Sequence, residues 1–247
     1  MLIYHNMVIS GLKYRNYYAN RNENNKRLDT NITSMFSPMF DLICKKNELV
    51  QIDITNSQLA FLSMALRDQL NSNDFKVFQR ISILGKLYES IEQLLSLESR
   101  KASKIEVLEI LFSSRKNSTK TKKELKQHFP NIIKWIDDFK KNNGDKKFSV
   151  MLQKLESELM IDGVYMAIKS KGLFCLTKHD SVIVHKENYY EVMAIMKDEF
   201  NKRGFQCLLK TTWCYADSVG TYYHPINYVL DPANEIFIYN VPFSHAS

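Results

Sequence analysis

The sequence predicts an α+β fold, a small antiparallel sheet with a long helical insertion. Three observations predict it. A short run of strand character, Leu49-Val50-Gln51-Ile52-Asp53-Ile54, precedes a long stretch of helical periodicity. A β-hairpin pattern then appears, with arms at Leu173–Thr177 and Ser181–His185 around Lys178-His179-Asp180. A helix and a last strand, Gln206 to Trp213, complete an order in which helices segregate from strands.

Each element has a local reason. The first thirty residues are polar and Asn-rich, with Tyr14, Tyr17 and Tyr18 interspersed, and predict a segment that wraps around the body or lies on the surface. Residues 34–46 carry Met35, Phe36, Met39, Phe40, Leu42 and Ile43 at near-helical spacing. After the strand ending at Asp53, Leu59, Leu62, Ser63 and Leu66 define one face of a helix over Ser57 to Leu70, which Asn71-Ser72-Asn73-Asp74 punctuates. Residues 75–112 read as helix with breaks near Gly85 and Ser96, and Lys116 to Lys123 as a basic polar turn. Phe129-Pro130 starts another helix, Asn131 to Lys141, and Asn142-Asn143-Gly144-Asp145 is the clearest loop. A helix from Phe148 to Ala167 leads through a turn at Lys171-Gly172 to the hairpin. The helix from Tyr189 to Arg203 ends at Gly204, a residue suited to the position after a helix. The tail reads as irregular, with a strand pattern at Glu235 to Tyr239.

A chain of 247 residues, 45% hydrophobic, can bury a sizeable core. Cys44, Cys175, Cys207 and Cys214 form no CxxC pair and have no histidine at zinc-finger spacing, so they read as reduced, mostly buried thiols. No basic leader with an apolar stretch and no run of about 18 apolar residues occurs, which predicts a cytoplasmic protein with no membrane partner. The Lys, Asn and Ile content points to an AT-rich coding source, a bacterium or phage-infected cell.

The net charge of +7 is regional. From Arg100 to Lys147 there are fourteen Lys or Arg against six Asp or Glu. Such a run reads as a solvated helical face or as a surface for a phosphate-rich ligand.

Asp53 and Asp180 each adjoin an apolar strand, where a carboxylate is costly to bury unless a cation compensates it. Two that converge are a common way to hold Mg²⁺. Arg100, Lys104, Leu108 and Phe112 recur every four residues, along one side of a helix. Two cations followed by two apolar side chains suit a triphosphate at one end and a sugar and base at the other. Each feature also has a plain structural reading. The helix can be simply amphipathic, Asp180 a turn residue and Asp53 a residue near a helix start.

Taken in order, these residues resemble the polymerase core of family A DNA polymerases over residues 27–205. Asp53-Ile54-Thr55-Asn56-Ser57-Gln58-Leu59 is similar to the first palm block, and Arg100, Lys104, Leu108 and Phe112 to the fingers helix. Met151-Leu152-Gln153-Lys154 resembles the glutamine-bearing helix, and His179-Asp180-Ser181 the second palm block. The resemblance implies a palm-type sheet with a fingers insertion: a polar extension at 1–26, palm at 27–70, basic helical fingers at 71–147, and the second part of the palm with the tail at 148–247.

It further implies extension of a DNA primer from deoxynucleoside triphosphates by two Mg²⁺ ions on Asp53 and Asp180. Arg100 and Lys104 would take the triphosphate, and Leu108, Phe112 and Gln58 the sugar and base. Arg27, Gln153 and His179 would lie at the primer end; by themselves Arg27 and Gln153 also read as surface residues, Arg27 the more so for its polar stretch, and His179 as a structural residue of a hairpin. Arg115, Lys116, Lys120, Lys122 and Lys123 would meet primer–template. Two positions depart from the family. Gln58 stands where it has Glu and Phe112 where it has Tyr, so the hydrogen bond between those side chains cannot form in the usual way. With 26 residues before Arg27, the expectation is weak duplex grip, met by an accessory protein supplying thumb or processivity function, by the basic region, or by a longer parent chain. A catalytically silent nucleic-acid-binding subunit and an RNA-synthesising or template-independent transferase are the alternative readings.

Overall fold

In the computed structural model, which describes residues 9–214 and the backbone of a strand at 221–226, two antiparallel sheets form. A small hairpin pairs β1 (Ala19–Arg21) with β2 (Leu28–Thr30). The five-stranded sheet has β3 (Leu49–Ile54) at its centre. On one side lie β5 (Ser181–His185) and, outermost, β4 (Leu176–Lys178); on the other lie β6 (Cys207–Trp213) and β7 (Thr221–Ile226). Helix α1 (Ser37–Lys46) precedes β3.

Between β3 and β4 runs a helical block: α2 (Ser57–Leu66), α3 (Asn73–Ile83), α4 (Leu87–Leu94), α5 (Arg100–Phe112), α6 (Lys120–His128), α7 (Pro130–Asn143) and α8 (Asp145–Ser157). From α8 the chain continues through a wide π-helical stretch, Glu158–Tyr165, into α9 (Met166–Ser170). Helix α10 (Tyr189–Lys202) joins β5 to β6.

Strand alternation sorts β3 into two faces. Val50, Ile52 and Ile54 are buried and join Val182, Val184 and Leu209 in a core completed by helix residues such as Leu159, Met160, Val164, Met196 and Phe200. That core runs on into the helical block through Phe61, Leu66, Phe78, Leu111, Phe148 and Leu152, and Phe205 stacks on Phe61 at 4.9 Å. Each fully buried side chain of this size contributes roughly 1.5–3 kcal/mol. Sheet and block therefore share one core. The opposite face of the sheet is apolar at one end, where Met35, Phe40 and Cys44 cover Leu49 and Ile183. Its other end carries Gln51 and Asp53.

Several local expectations are corrected. Of the two readings of the N-terminal segment, wrapping around the body or lying on the surface, the contacts fit the first. The segment's hairpin is tied to the long helix by ion pairs Arg21–Asp162 and Arg27–Glu156, each at 2.8 Å. The polar stretch Lys116 to Lys123 is only in part a turn, because α6 begins at Lys120 under the cap that the Thr119 side chain provides by accepting from the Lys122 N–H. The loop at residues 142–145 shrinks to Gly144, whose φ of +97° breaks an otherwise continuous helical path. The first hairpin arm is shorter than its apolar pattern, and the turn is the two residues His179 and Asp180. Beyond Trp213 the chain is not wholly irregular: β7 adds an edge strand, where the missing N–H of Pro225 is tolerated. The strand pattern at 235–239 lies outside the described residues. All four cysteines are free, Cys44 and Cys207 fully buried.

Candidate active site

Antiparallel pairing brings Asp53 and Asp180 together. Asp53 is paired with Ser181 on β5 and Lys210 on β6, and Asp180 is the residue just before Ser181. The Ile54 N–H donates to the Asp180 carbonyl at 3.2 Å, so the tight turn is fastened to the end of the central strand. His179 makes that turn possible by taking a φ of +56°, in the left-handed region. Both aspartates line one cleft of about 950 Å³ between the sheet end and the helical block.

Asp53 accepts from Gln51 Nε2 at 2.7 Å. Burial nevertheless pushes its carboxyl up to about 6, with Asp180 adding to the rise and Gln51, Lys210 and Ser181 opposing it. The floor of the cleft thus holds two carboxylates with Lys210 beside them. Among the described residues no cluster of three or more metal-ligating side chains occurs. Two carboxylates suffice for a hard divalent ion that keeps waters and substrate phosphates as its other ligands. The donor set fits such an ion.

One wall is α5, whose start is capped by the Ser99 side chain accepting from the Ala102 N–H. Its face presents Arg100, Lys104, Leu108 and Phe112 to the cleft, with the spacing legible in the sequence. Arg100 is already engaged: it donates to Glu89 at 2.7 Å and to Asn56 at 2.9 Å, and lies 5.4 Å from the Tyr88 ring centroid. Lys104 is exposed. Phe112 keeps 39% of its surface exposed, while Val107, Ile110 and Leu111 on the other side enter the core.

The opposite corner holds a group that sequence reasoning missed. Glu156 on α8 is 2% exposed, yet it receives Arg27 through Nε at 2.8 Å and Nη2 at 3.0 Å, and Gln58 Nε2 at 2.8 Å. Burial, followed by the opposing effect of Arg27 and the like charge of Asp180, leaves its carboxyl pushed up to about 7. The signal was present: Phe148, Leu152, Glu156 and Leu159 follow one helical stripe, and a glutamate on an apolar stripe asks for a cation. Arg27 is accordingly not a free surface residue. Gln153 accepts from Asn25 at 3.1 Å and lines the same corner, as does His179. Burial holds the His179 imidazole below its ordinary value, and its Nδ1 is buried without a partner among the described residues.

The basic positions divide. Arg115, Lys116, Lys120 and Lys123 are exposed and lie off the cleft wall. Lys122 is a correction: its side chain is buried, its ammonium donating to Asp137 at 2.7 Å and to the Arg115 carbonyl at 2.9 Å. Lys140 is likewise buried and donates to the Ile110 and Ser113 carbonyls. These two amines hold the helical block together and offer nothing to a phosphate.

The architecture is an antiparallel sheet with a cleft of mixed charge at one end, walled by an inserted helical block. Among solved structures the chain is similar to the POL domain of Pol1 from M. smegmatis in complex with DNA primer-template and dNTP. The TM-score is 0.55 and the identity 13%, covering 80% of this chain and 47% of that one. At that identity the likeness is one of fold, and the chain spans under half the length of the structure it matches. No family model and no curated protein matches the sequence. Among the described residues no helix is long and apolar enough to cross a membrane.

Proposed function

We propose that the chain is a DNA polymerase core, extending a DNA primer from deoxynucleoside triphosphates with Mg²⁺. The observation that carries the reading is the convergence of Asp53 and Asp180 on one cleft floor. They would hold the metal. Two ions bound there would supply the positive charge that eases deprotonation of the primer 3′-hydroxyl and neutralises the departing pyrophosphate.

The chain's own residues would then position. Lys104 offers a mobile point charge to the triphosphate, while Arg100, pre-set by Glu89 and Asn56, offers its remaining guanidinium edge. Leu108 and Phe112 give the base an apolar wall, and Arg27, Gln153 and His179 face the primer end. The exposed cations Arg115, Lys116, Lys120 and Lys123 would meet the DNA backbone. The similar solved structure, a complex with DNA primer-template and dNTP, supports both partners at the level of fold.

The test is primer extension with labelled deoxynucleotides and Mg²⁺. Asp53→Asn and Asp180→Asn are each expected to abolish extension while retaining DNA binding. Robust extension by either variant would overturn the metal assignment.

A further inference from the structure

Two thiols from separate elements meet under helix α1. Cys44, in the last turn of that helix, is fully buried in the small apolar cluster that covers Leu49 and Ile183, and Cys214 packs against the same cluster. Strand register explains the meeting. Cys214 directly follows Trp213, the partner of Val50, and its N–H donates to the Leu49 carbonyl at 3.3 Å, so its side chain shares the face of Leu49 that α1 covers.

The Cys44 thiol donates to the Cys214 sulfur. Accepting that hydrogen bond holds the Cys214 thiol below its ordinary value, against burial and the charges of Asp41 and Asp53 and with help from the Gln51 N–H. The same contact, followed by burial, pushes the Cys44 thiol up. One sulfur is therefore set to carry the negative charge while its neighbour keeps the proton. Cys214 is only half-buried and open to a small solute. The other two cysteines are differently placed: burial pushes the Cys175 thiol up to about 12, and Cys207 is fully buried.

We propose that Cys214 is a peroxide-reactive thiol and Cys44 its resolving partner, so that hydrogen peroxide converts the pair into a disulfide stapling α1 to the end of β6. The Cys214 thiolate attacks one peroxide oxygen, the O–O bond breaks, and the departing hydroxide takes up the proton that Cys214 had shed. Cys214 is left as a sulfenic acid. The Cys44 sulfur then attacks the Cys214 sulfur; the S–S bond forms, the S–O bond breaks, and the hydroxide leaves with the Cys44 proton as a second water. The sulfur pair loses two electrons, and the peroxide gains them.

The bond closes a loop from residue 44 to residue 214 that contains β3, the whole helical block and α10. A cross-link over so long a loop restricts the unfolded chain strongly, which makes the oxidised form the more stable one. Neither cysteine lines the cleft. The staple thus secures the sheet that carries Asp53 without entering the site, and it stands independently of the polymerase reading.

The experiment treats the reduced full chain with equimolar hydrogen peroxide, blocks the remaining thiols with N-ethylmaleimide and maps unreduced peptides by mass spectrometry. A cross-linked Cys44–Cys214 peptide is expected, with a melting temperature raised by about 5–10 °C and restored by dithiothreitol. In Cys44→Ala the Cys214 sulfenic acid should persist and be captured by dimedone, whereas Cys214→Ala should leave Cys44 unlabelled. Oxidation that falls first on Cys175 or Cys207, or disulfides between chains in place of the internal one, would overturn the proposal. So would a Cys44–Cys214 bond that leaves the melting temperature unmoved, the mark of a bond made in unfolded chain. If Cys44→Ala does not fold, the peptide map and melting shift of the wild type decide alone.

Discussion

Asp53 is held in a position that costs stability. Its carboxyl titrates at about 6 in the fold against an ordinary value of 3.8, with burial the first cause. Between those pH values the folded state binds more protons than the unfolded state, so stability falls as pH rises through the window and stays low above it. The difference corresponds to roughly 3 kcal/mol at most. Without divalent metal, Asp53→Asn is expected to raise the melting temperature at pH 7.5 and to flatten its decline between pH 4 and 6. Adding Mg²⁺ should stabilise the wild type at pH 7.5 and leave the variant unmoved. Thermal unfolding under those conditions checks both statements, and a destabilised variant would contradict them. Both aspartates were legible because Asp53 interrupts an apolar strand pattern and Asp180 directly precedes one. Glu156 was equally out of place on its helix, but its partner Arg27 sits in a distant polar stretch that gives no sign of folding back.

Helix α5 was read from spacing alone, and its boundaries follow the sequence: a serine cap before Arg100 and an apolar stripe through Val107 and Leu111. What spacing could not reveal is which cation is committed. Lys104→Ala is expected to raise the KM for nucleotide about tenfold with the melting temperature unchanged. Arg100→Ala is expected to raise KM and also lower the melting temperature, because Glu89 and Asn56 lose their donor. Steady-state kinetics beside thermal scans separate the two. Helix α6 escaped the sequence reading for a related reason. Its Lys- and Thr-rich segment lacks an apolar stripe, and its inward face is completed by Leu125, Thr121 and the Lys122–Asp137 pair, formed across to α7. Lys122→Ala should cost roughly 2 kcal/mol of stability, the loss of a charged hydrogen bond, and leave DNA affinity alone. Lys123→Ala should do the reverse.

Across the whole molecule, the order of strands and helices was legible, because hydrophobic period and turn residues are local signals. Two pairings were not: β1 and β2 are three residues each with no apolar alternation to announce them, and β7 carries Pro225, which marks against a strand unless it lies at a sheet edge. The charge distribution was legible in amount but not in use. With Lys122 and Lys140 buried, DNA affinity is expected to fall steeply with salt through the exposed cations. Replacing Arg115, Lys116, Lys120 and Lys123 together by Gln should flatten the log–log salt slope by about three to four, and an unchanged slope would place the DNA elsewhere. The long helix from Asp145 to Ser170 serves both halves of this arrangement, giving Gln153 and Glu156 to the cleft and Met160 and Val164 to the core beneath the sheet. Its widened turns at Glu158–Tyr165 set the phase between the two ends. Deleting a single amino acid there would swing the N-terminal half by roughly 100° while every side chain named at the cleft remained in the sequence. Register, as much as chemical identity, thus becomes an inherited property of this protein, and a one-codon loss far from the aspartates would be as disabling as their replacement.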